Sequence, residues 1–248
     1  MYLYHTIFKN EIVAEFLPPK NLISKKVIIL CDGLPSLPDK KRLVRFLAKK
    51  NYWVFHMRYR GTWESGGEFL VNSPVQDILD IIDELPKGFI EIWGNQEFKV
   101  NPESIFVIGA SFGGTTALIA SMNIKIKKVV TICPVVDWKD ESGEESNDYL
   151  KNVIRQGYPG AYRFNEENWQ KLINTSFFNP VDYINKFDSS KILSIHAKDD
   201  KIVMYSGVEK FMKKIGVQFI TRKKGGHLSS SIIMNFFIFR KIEKFLDN

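Results

Sequence analysis

A serine flanked by glycines is the clearest chemical signal in this chain. The run 107–114 reads Val-Ile-Gly-Ala-Ser-Phe-Gly-Gly, which places Ser111 at the centre of a Gly-x-Ser-x-Gly pattern. Apolar residues 105–108 predict a buried strand before it, and residues 115–122 predict a helix after it. A serine on such a sharp strand-to-helix turn is held exposed and strained, and only small residues fit beside it. Ser111 is therefore a candidate nucleophile, although a glycine-rich turn can also hold a serine with no catalytic role.

A base and an acid for Ser111 can be sought by position in the chain. A serine hydroxyl is a poor nucleophile until a base takes its proton. His227 follows two glycines after the last predicted strand, at the carboxyl edge where open α/β sheets carry their chemistry. Asp199 and Asp200 both follow the preceding strand and could orient this histidine. Each of the three could instead cap a helix, but the order serine, aspartate, histidine favours a catalytic triad.

The remaining histidines and the two cysteines predict no metal site. His5 lies in an N-terminal hairpin pattern, His56 lies inside a strand pattern and is expected to pack there, and His196 ends a strand. These positions lack the spacing of metal ligands. Cys31 and Cys133 each end a predicted core strand, and they are expected to be buried free thiols.

The elements that must position these residues form a regular alternation. Amphipathic helical patterns separate short apolar strands and occur at 40–49, 73–85, 115–122, 205–215 and 228–246. The strands are predicted at 27–30, 52–57, 105–108, 129–132, 192–195 and 217–221. Together with an antiparallel hairpin at 2–8 and 11–16, this pattern predicts a mostly parallel sheet of about eight strands, covered by helices on both faces.

One segment, 135–188, is far longer than a simple crossover between strands. It is rich in aromatic residues, and excursions of this length are usually functional or form a small subdomain. We interpret it as a helical cap over the carboxyl edge of the sheet, inserted in a single domain of residues 1–248. A peripheral helical decoration is the alternative. Trp138 in this segment and Trp63, after the second core strand, are candidate substrate contacts, although the aromatic residues could also form the core of the cap itself.

Composition limits the possible partners. The 248 residues are 44% hydrophobic and carry a formal net charge of +7, but the basic residues are scattered. A solvated lysine-rich surface is therefore favoured over a nucleic-acid groove. The sequence contains neither an apolar stretch of about 18 residues, as a membrane span needs, nor a secretory signal pattern. With two cysteines expected to be free, a cytoplasmic location is expected. The oligomeric state is left open, with a homodimer as one option.

Three segments resemble the α/β-hydrolase superfamily. They are Ile-Gly-Ala-Ser-Phe-Gly-Gly at 108–114, Ile-His-Ala-Lys-Asp-Asp-Lys-Ile-Val at 195–203 and Gly-Gly-His at 225–227. The second resembles the His-Gly-x-x-Asp-x-x-Val stretch of that family, with Ala197 in place of the glycine. Matching Val203 to the family valine selects Asp200 as the acid and leaves Asp199 as a spacer. The run 58–67 also resembles a loop of esterase-like hydrolases and of the prolyl-oligopeptidase branch.

The resemblance implies an α/β-hydrolase fold with an oxyanion hole. Its donors would be the backbone N–H of Phe112 and, by position, that of Leu34. The family usually has His-Gly before this second donor, whereas this chain has Asp32 and a glycine. An ionised Asp32 would oppose a developing oxyanion. We therefore expect that Asp32 points away, that Arg58 or Arg60 binds it, or that activity is weak.

The resemblance further implies a serine hydrolase. It would cleave carboxylic esters, thioesters or small amides through an acyl-enzyme, with Ser111, Asp200 and His227 as the triad and with no cofactor or metal. Two alternatives remain open at the level of sequence. The same triad performs acyl transfer where the pocket excludes water, and a hydrolase fold can also serve as a binding protein after losing activity.

Overall fold

The computed structural model describes residues 2–174 and 177–248, and within them the chain forms ten strands and seven α-helices. The strands are β1 (Tyr4–Phe8), β2 (Ile12–Leu17), β3 (Lys26–Cys31), β4 (Trp53–Met57), β5 (Phe89–Ile90), β6 (Glu97–Phe98), β7 (Ser104–Ala110), β8 (Lys128–Ile132), β9 (Ile192–Ala197) and β10 (Gln218–Arg222). The helices are α1 (Lys41–Ala48), α2 (Pro74–Glu84), α3 (Phe112–Ala120), α4 (Asn147–Gly157), α5 (Glu166–Asn174), α6 (Tyr205–Lys214) and α7 (Phe236–Asp247).

Eight of these strands form the main sheet, in the order β1-β2-β4-β3-β7-β8-β9-β10. β1 pairs antiparallel with β2, and β2 pairs antiparallel with β4. All the other neighbours, from β4 to β10, are parallel. The sequence-based prediction of a mostly parallel sheet of about eight strands, preceded by an antiparallel hairpin, is confirmed.

Both faces of the sheet are buried because side chains alternate along each strand. In β3, Val27 and Ile29 belong to the core on one face, and Ile28 and Leu30 belong to the core on the other. Helices α2, α3 and α6 supply the first core, and α1 and α7 supply the second. Because these strands are parallel, their carboxyl ends lie at the same edge of the sheet. The candidate nucleophile, Ser111, follows β7 at this edge.

Three local predictions were wrong or incomplete. The last helix, predicted as one element over 228–246, is instead a 3₁₀ turn at Ser230–Met234 followed by α7. Asn235 interrupts the predicted helix because the Asn235 backbone is extended. The Asn235 side chain accepts hydrogen bonds from the backbone N–H groups of Phe237 and Ile238 and so caps the start of α7. The helix after the serine begins at Phe112, three residues earlier than predicted. The β5–β6 hairpin was missed because strands of two residues show no alternation.

The long segment between β8 and β9 carries α4 and α5 and ends in 3₁₀ turns at Pro180–Tyr183 and Ser189–Lys191. Backbone hydrogen bonds join it to the loop after β4. Gly61 accepts the N–H of Arg163 at 2.7 Å, and Phe69 donates to the Arg163 carbonyl at 2.7 Å. Among the described residues, no helix is long and apolar enough to cross a membrane.

Candidate active site

Ser111 occupies the turn between β7 and α3. Its backbone has φ 54° and ψ −121°, a conformation that side chains rarely adopt. A Cβ at Gly109 would overlap the Gly113 carbonyl, and a Cβ at Gly113 would overlap the carbonyls of Cys31 and Asp32. Glycine is required at both places because backbone passes within van der Waals distance. The turn therefore presses closely on the end of β3 and projects Ser111 at the sheet edge.

Asp200 and His227 are held together at the same edge. The His227 Nδ1 lies 2.9 Å from Asp200 Oδ2, and the Asp200 side chain is fully buried. Its other oxygen, Oδ1, accepts the backbone N–H of Ile202 and Val203 at 3.0 Å each. Burial by itself would raise the pKa of Asp200, but hydrogen bonds from His196 and His227 hold that pKa well below its usual value. Asp200 is therefore a fixed carboxylate whose Oδ2 faces His227.

The neighbouring Asp199 has a different function in the structure. It is exposed, and its carboxylate accepts the backbone N–H of Gly225 at 3.2 Å and of Gly226 at 2.8 Å. Gly226 has φ 57°, which suits a residue without Cβ. Asp199 thus holds the loop that carries His227, while Asp200 contacts the imidazole.

His196 is a second histidine on Asp200 that the sequence analysis did not assign to the site. The fully buried His196 places its Nε2 3.2 Å from Asp200 Oδ2 and 2.9 Å from the Val203 carbonyl oxygen. Both neighbours are acceptors, so the proton belongs on Nε2. A spacing of four residues from Asp200, across a strand end and a tight turn, was the signal available in the sequence.

Cys133, His196 and Asp200 also form a compact group of possible metal ligands, with one donor atom from each lying within 4.8 Å of the others. The donors suit a metal poorly. Burial first, and the Asp200 charge second, raise the pKa of the Cys133 thiol, which disfavours the thiolate that binds metals. Asp200 Oδ2 is already shared by two histidines. Both cysteines are buried and free, as expected.

Two adjoining cavities open on Ser111. The His227 cavity has a volume of about 290 Å³, and Ser111, His227, Leu34 and Lys40 are among the residues that line it. The Trp138 cavity, of about 70 Å³, is lined by Ser111, Leu34 and Trp138 among others. Within residues 2–174 and 177–248, the Ser111 hydroxyl makes no hydrogen bond. Ser111 and His227 therefore line the same cavity, but among the described contacts their side chains are not hydrogen-bonded to each other.

The two candidate substrate tryptophans are placed differently. Trp138 is 4% exposed and lines the smaller cavity beside Ser111. Trp63 is not among the described residues that line either cavity. Its indole donates to the Ser36 carbonyl at 3.1 Å, and its ring contacts Tyr158 and Tyr162 of the long segment. Trp63 therefore packs that segment against the loop after β4.

The candidate oxyanion donors lie beside the nucleophile. Phe112 is the first residue of α3, where backbone N–H groups have no partner within the helix. Leu34 lines both cavities together with Ser111. Gly33 brings this loop close, because a Cβ built there would lie 3.5 Å from the Ser111 Cβ. The loop after β3 and the start of α3 therefore both lie next to Ser111.

Asp32 is held by partners that the sequence analysis did not name. His56 Nε2 lies 2.8 Å from Asp32 Oδ2, and Lys40 Nζ lies 3.3 Å from Oδ1. Burial would raise the pKa of Asp32, but the charges and hydrogen bond of these neighbours lower it. Of the three alternatives for Asp32, direct binding by Arg58 or Arg60 is not found among the described residues, and Arg58 lowers the pKa of Asp32 only through its charge. The Arg58 guanidinium contacts His56 instead, and Arg60 pairs with three other carboxylates, those of Glu11, Asp77 and Asp80.

The sequence pattern of one protein family covers most of the chain. The prolyl oligopeptidase family matches residues 40–246. The chain belongs to this family. It is therefore a serine hydrolase of the α/β-hydrolase superfamily, in the branch that its motif segments resemble.

Solved structures of other hydrolases share the fold. The esterase Pf2001 of Pyrococcus furiosus is 18% identical, with a TM-score of 0.69, over 99% of this chain and 90% of that one. Est1E of Butyrivibrio proteoclasticus is 16% identical, with a TM-score of 0.64, over 100% of both chains. The acylaminoacyl peptidase of Pyrococcus horikoshii is 17% identical, with a TM-score of 0.66, over 99% of this chain and 40% of that one. No curated protein sequence matches the chain.

Proposed function

We propose that this protein hydrolyses small carboxylic esters, thioesters or amides through an acyl-enzyme on Ser111. One observation carries the proposal. Ser111 stands on a positive-φ turn and lines the same cavity as His227, whose Nδ1 is held by the buried Asp200. This is the arrangement that a nucleophile, a base and an orienting carboxylate require.

The proposed reaction follows from the atoms that remain free. Because Asp200 holds Nδ1, Nε2 of His227 is available to take the Ser111 proton as Oγ attacks the substrate carbonyl. The backbone N–H groups of Phe112 and Leu34 would donate to the oxyanion, a contribution of about 3–4 kcal/mol for each well-placed donor. His227 then returns its proton to the leaving group, and water deacylates Ser111 by the same route in reverse.

The free Ser111 hydroxyl is consistent with this proposal. Hydrogen bonds between a nucleophile and its base are often long without substrate and tighten in the complex. The contacts of Asp32 also support activity. Its carboxylate faces the imidazole of His56 and the ammonium of Lys40, so its charge has close partners and is not directed unpaired at the oxyanion. The reason for expecting a weak enzyme or an inactive binding protein is thereby reduced.

The substrate is proposed to be small because the two cavities beside Ser111 are small. Volumes of about 290 and 70 Å³ suit short acyl and leaving groups better than long peptides. We further propose that segment 135–188 acts as the cap that closes the site. Trp138 and Val136 of this segment line the smaller cavity, which supports that function.

Covalent labelling tests the proposal. We expect a fluorophosphonate to label the wild-type protein on the peptide that contains Ser111, and p-nitrophenyl acetate to give a burst of p-nitrophenol. Ser111→Ala should lose both. Ser231→Ala is the matched control, since Ser231 is an exposed serine that lines neither of these cavities, and it should keep both. If the Ser111→Ala protein were labelled or turned over substrate as well as the wild type, the assignment of Ser111 as the nucleophile would be wrong.

A further inference from the structure

The net positive charge of the chain is concentrated on two helices. Residues 39–50, which contain α1, and residues 236–247, which form α7, together hold nine lysines and arginines and three acidic residues, an excess of six. The whole chain has an excess of seven. The two ranges are far apart in sequence, so it is the fold that concentrates this charge.

Helices α1 and α7 lie side by side on one face of the sheet. Both bury their apolar residues in the same core, and the rings of Phe46 on α1 and Phe239 on α7 have centroids 4.8 Å apart. Lys50, which follows α1, lies 5.0 Å from the centre of the Phe239 ring. The outward sides of the two helices therefore form one surface, the α1/α7 face, which comprises the exposed residues of 41–50 and 236–247.

The α1/α7 face presents cations that the protein itself does not neutralise. Every exposed residue in the range 41–50 is a lysine or an arginine. The exposed cations on the two helices include Lys41, Arg42, Lys49, Lys50, Lys241 and Lys244. Within residues 2–174 and 177–248, none of these six side chains forms an ion pair. A surface of this kind attracts a partner that carries many negative charges.

Two adjacent phenylalanines are exposed in the first turn of α7. Phe236 is 65% exposed and Phe237 is 74% exposed, and their ring centroids lie 5.5 Å apart. The Arg240 guanidinium lies 5.8 Å from the centre of the Phe236 ring. Single exposed apolar side chains are ordinary on protein surfaces, whereas a contiguous apolar patch bordered by polar residues is typical of an interaction site.

The separation of aromatic and basic residues favours an anionic lipid surface as the partner. The phenylalanine pair occupies one end of α7, and the cations of α7 follow it along the helix. Surface-bound membrane proteins bury such apolar side chains among the headgroups while their lysines and arginines contact anionic lipids. Sites for single-stranded nucleic acid instead combine a basic groove with aromatic side chains along it. Two copies of the α1/α7 face would repel each other, which disfavours a symmetric dimer through it.

We propose that the α1/α7 face docks the protein on anionic lipid bilayers. Phe236 and Phe237 would enter the headgroup region, and the cations of both helices would contact lipid phosphates and carboxylates. The face adjoins the active site, because Ser230 lines the His227 cavity and also lines a neighbouring depression together with Arg42. The inference does not rest on the proposed hydrolysis, since no residue of the triad takes part in it.

Vesicle sedimentation tests the inference. We expect the wild-type protein to bind vesicles of phosphatidylcholine and phosphatidylserine at least about tenfold more strongly than vesicles of phosphatidylcholine alone, because each basic residue near an anionic bilayer strengthens binding by roughly fivefold. Raising the salt concentration from about 0.1 M to about 0.5 M should weaken this binding, since salt screens the attraction. Equal binding to the two kinds of vesicle would overturn the inference.

A matched pair of variants separates this face from the general charge of the protein. Lys241→Gln/Lys244→Gln should lower binding to the anionic vesicles by about tenfold or more. Lys210→Gln/Lys214→Gln changes the net charge by the same amount at exposed positions of α6, which covers the opposite face of the sheet. It should lower binding by less than about threefold because distant surface charges are screened. Equal losses in the two variants would contradict docking through the α1/α7 face.

The phenylalanines distinguish insertion from simple charge attraction. Phe236→Ala/Phe237→Ala should weaken binding to the anionic vesicles by about tenfold, because two exposed rings no longer become buried among the headgroups. Trp93→Ala is the control, since Trp93 is 67% exposed and contacts His5 of β1, the edge strand of the sheet. It should leave vesicle binding unchanged. A larger loss for Trp93→Ala than for the phenylalanine variant would place the docking surface elsewhere and overturn the inference.

Nucleic acid is the competing partner, and fluorescence anisotropy with a labelled single-stranded oligonucleotide tests it. If the oligonucleotide bound through Lys241 and Lys244 while vesicle binding did not need the phenylalanines, the α1/α7 face would be a nucleic-acid site and the inference would be wrong. Turnover of p-nitrophenyl acetate is measured separately, and these variants should keep it because none of the replaced residues lines the cavities beside Ser111. Absence of vesicle binding with intact turnover that depends on Ser111 would overturn this inference alone and leave the proposed function standing.

Discussion

At the scale of single residues, two adjacent aspartates are predicted to differ sharply in their effect on catalysis. Asp200→Asn keeps the shape of the side chain but removes the negative charge that faces His227. It also permits the wrong imidazole tautomer, so kcat should fall by roughly 10³–10⁴-fold. Asp199→Asn keeps an oxygen that can accept from Gly225 or Gly226 and should lower kcat by less than about tenfold. Burst and steady-state kinetics with p-nitrophenyl acetate measure both. The opposite ranking would make Asp199 the acid.

Some residues of this site could be predicted from the sequence, and the contacts of Asp32 could not. Ser111, Asp200 and His227 follow different strands, and their convergence could be predicted because parallel strands end at one edge. The partner of Asp32 could not be predicted in this way. His56 is 24 residues away along the chain and reaches Asp32 only because β4 pairs with β3 in a register that sets His56 opposite Leu30. Such contacts depend on which strands pair and in what register. The alternation of apolar and polar residues along a single strand does not show that register.

At the scale of elements, a buried charged cluster joins three neighbouring strands to the loop after β3 that carries Leu34. Glu15 on β2 lies 3.4 Å from His56 Nδ1 on β4, and Asp32 at the end of β3 lies 2.8 Å from His56 Nε2. Arg58 pairs with Glu15 at 3.3 Å. Burial opposes ionisation of Glu15, but His56 and Arg58 lower the pKa of Glu15 to about 2. The cluster therefore holds the loop that carries Leu34 through ionic contacts inside the core.

Removing His56 should cost stability in a way that depends on pH. His56→Leu leaves Asp32 and Glu15 without their shared partner, and breaking a buried pair costs about 3–5 kcal/mol of unfolding free energy. Both carboxylates have a lowered pKa in the folded protein, and that of Glu15 is about 2. Their stabilisation is therefore present above the unfolded pKa of about 4 and is lost as the pH falls through the folded pKa values. Because the variant lacks much of this stabilisation, its deficit against the wild type should narrow as the pH falls below about 4. Burial opposes the charged form of His56, but Asp32 raises its pKa, so the contribution of His56 itself is lost in the opposite direction, as the pH rises above its unfolded pKa of about 6.5.

Urea unfolding at about pH 5 and about pH 3 measures this difference, because the carboxylates lose their stabilisation below the unfolded pKa of about 4. His5→Leu is the matched control, since His5 contacts the other oxygen of Glu15 at 3.4 Å but its side chain is 23% exposed. It should cost under about 1 kcal/mol. A His56→Leu deficit as small as that of His5→Leu, or one that fails to narrow between about pH 5 and about pH 3, would contradict the account of the cluster.

At the scale of the whole molecule, the long segment between β8 and β9 is packed as part of the core. Phe178 is fully buried, and its ring lies 5.0 Å from Phe112 at the start of α3 and 6.4 Å from Trp138. Arg163 adds a side-chain hydrogen bond to the Ser65 carbonyl. The length and aromatic content of this segment could be predicted from the sequence, but its docking could not. Its backbone bonds to the loop after β4 join residues about 100 positions apart, which no local pattern encodes.

We expect the segment and the sheet to unfold together as one cooperative unit. Phe178→Ala opens a cavity between the segment and α3 and should lower the unfolding free energy by about 3–5 kcal/mol. Tryptophan fluorescence, measured in a background where Trp53, Trp63 and Trp93 are replaced by Phe so that Trp138 and Trp169 of the segment are the reporters, and far-ultraviolet circular dichroism should still give coincident urea transitions. Phe237→Ala is the control, because Phe237 is 74% exposed on α7 and should change stability by less than about 0.5 kcal/mol. A fluorescence transition well below the dichroism transition would instead identify the segment as a separately folding lid, and access to Ser111 would then depend on its opening.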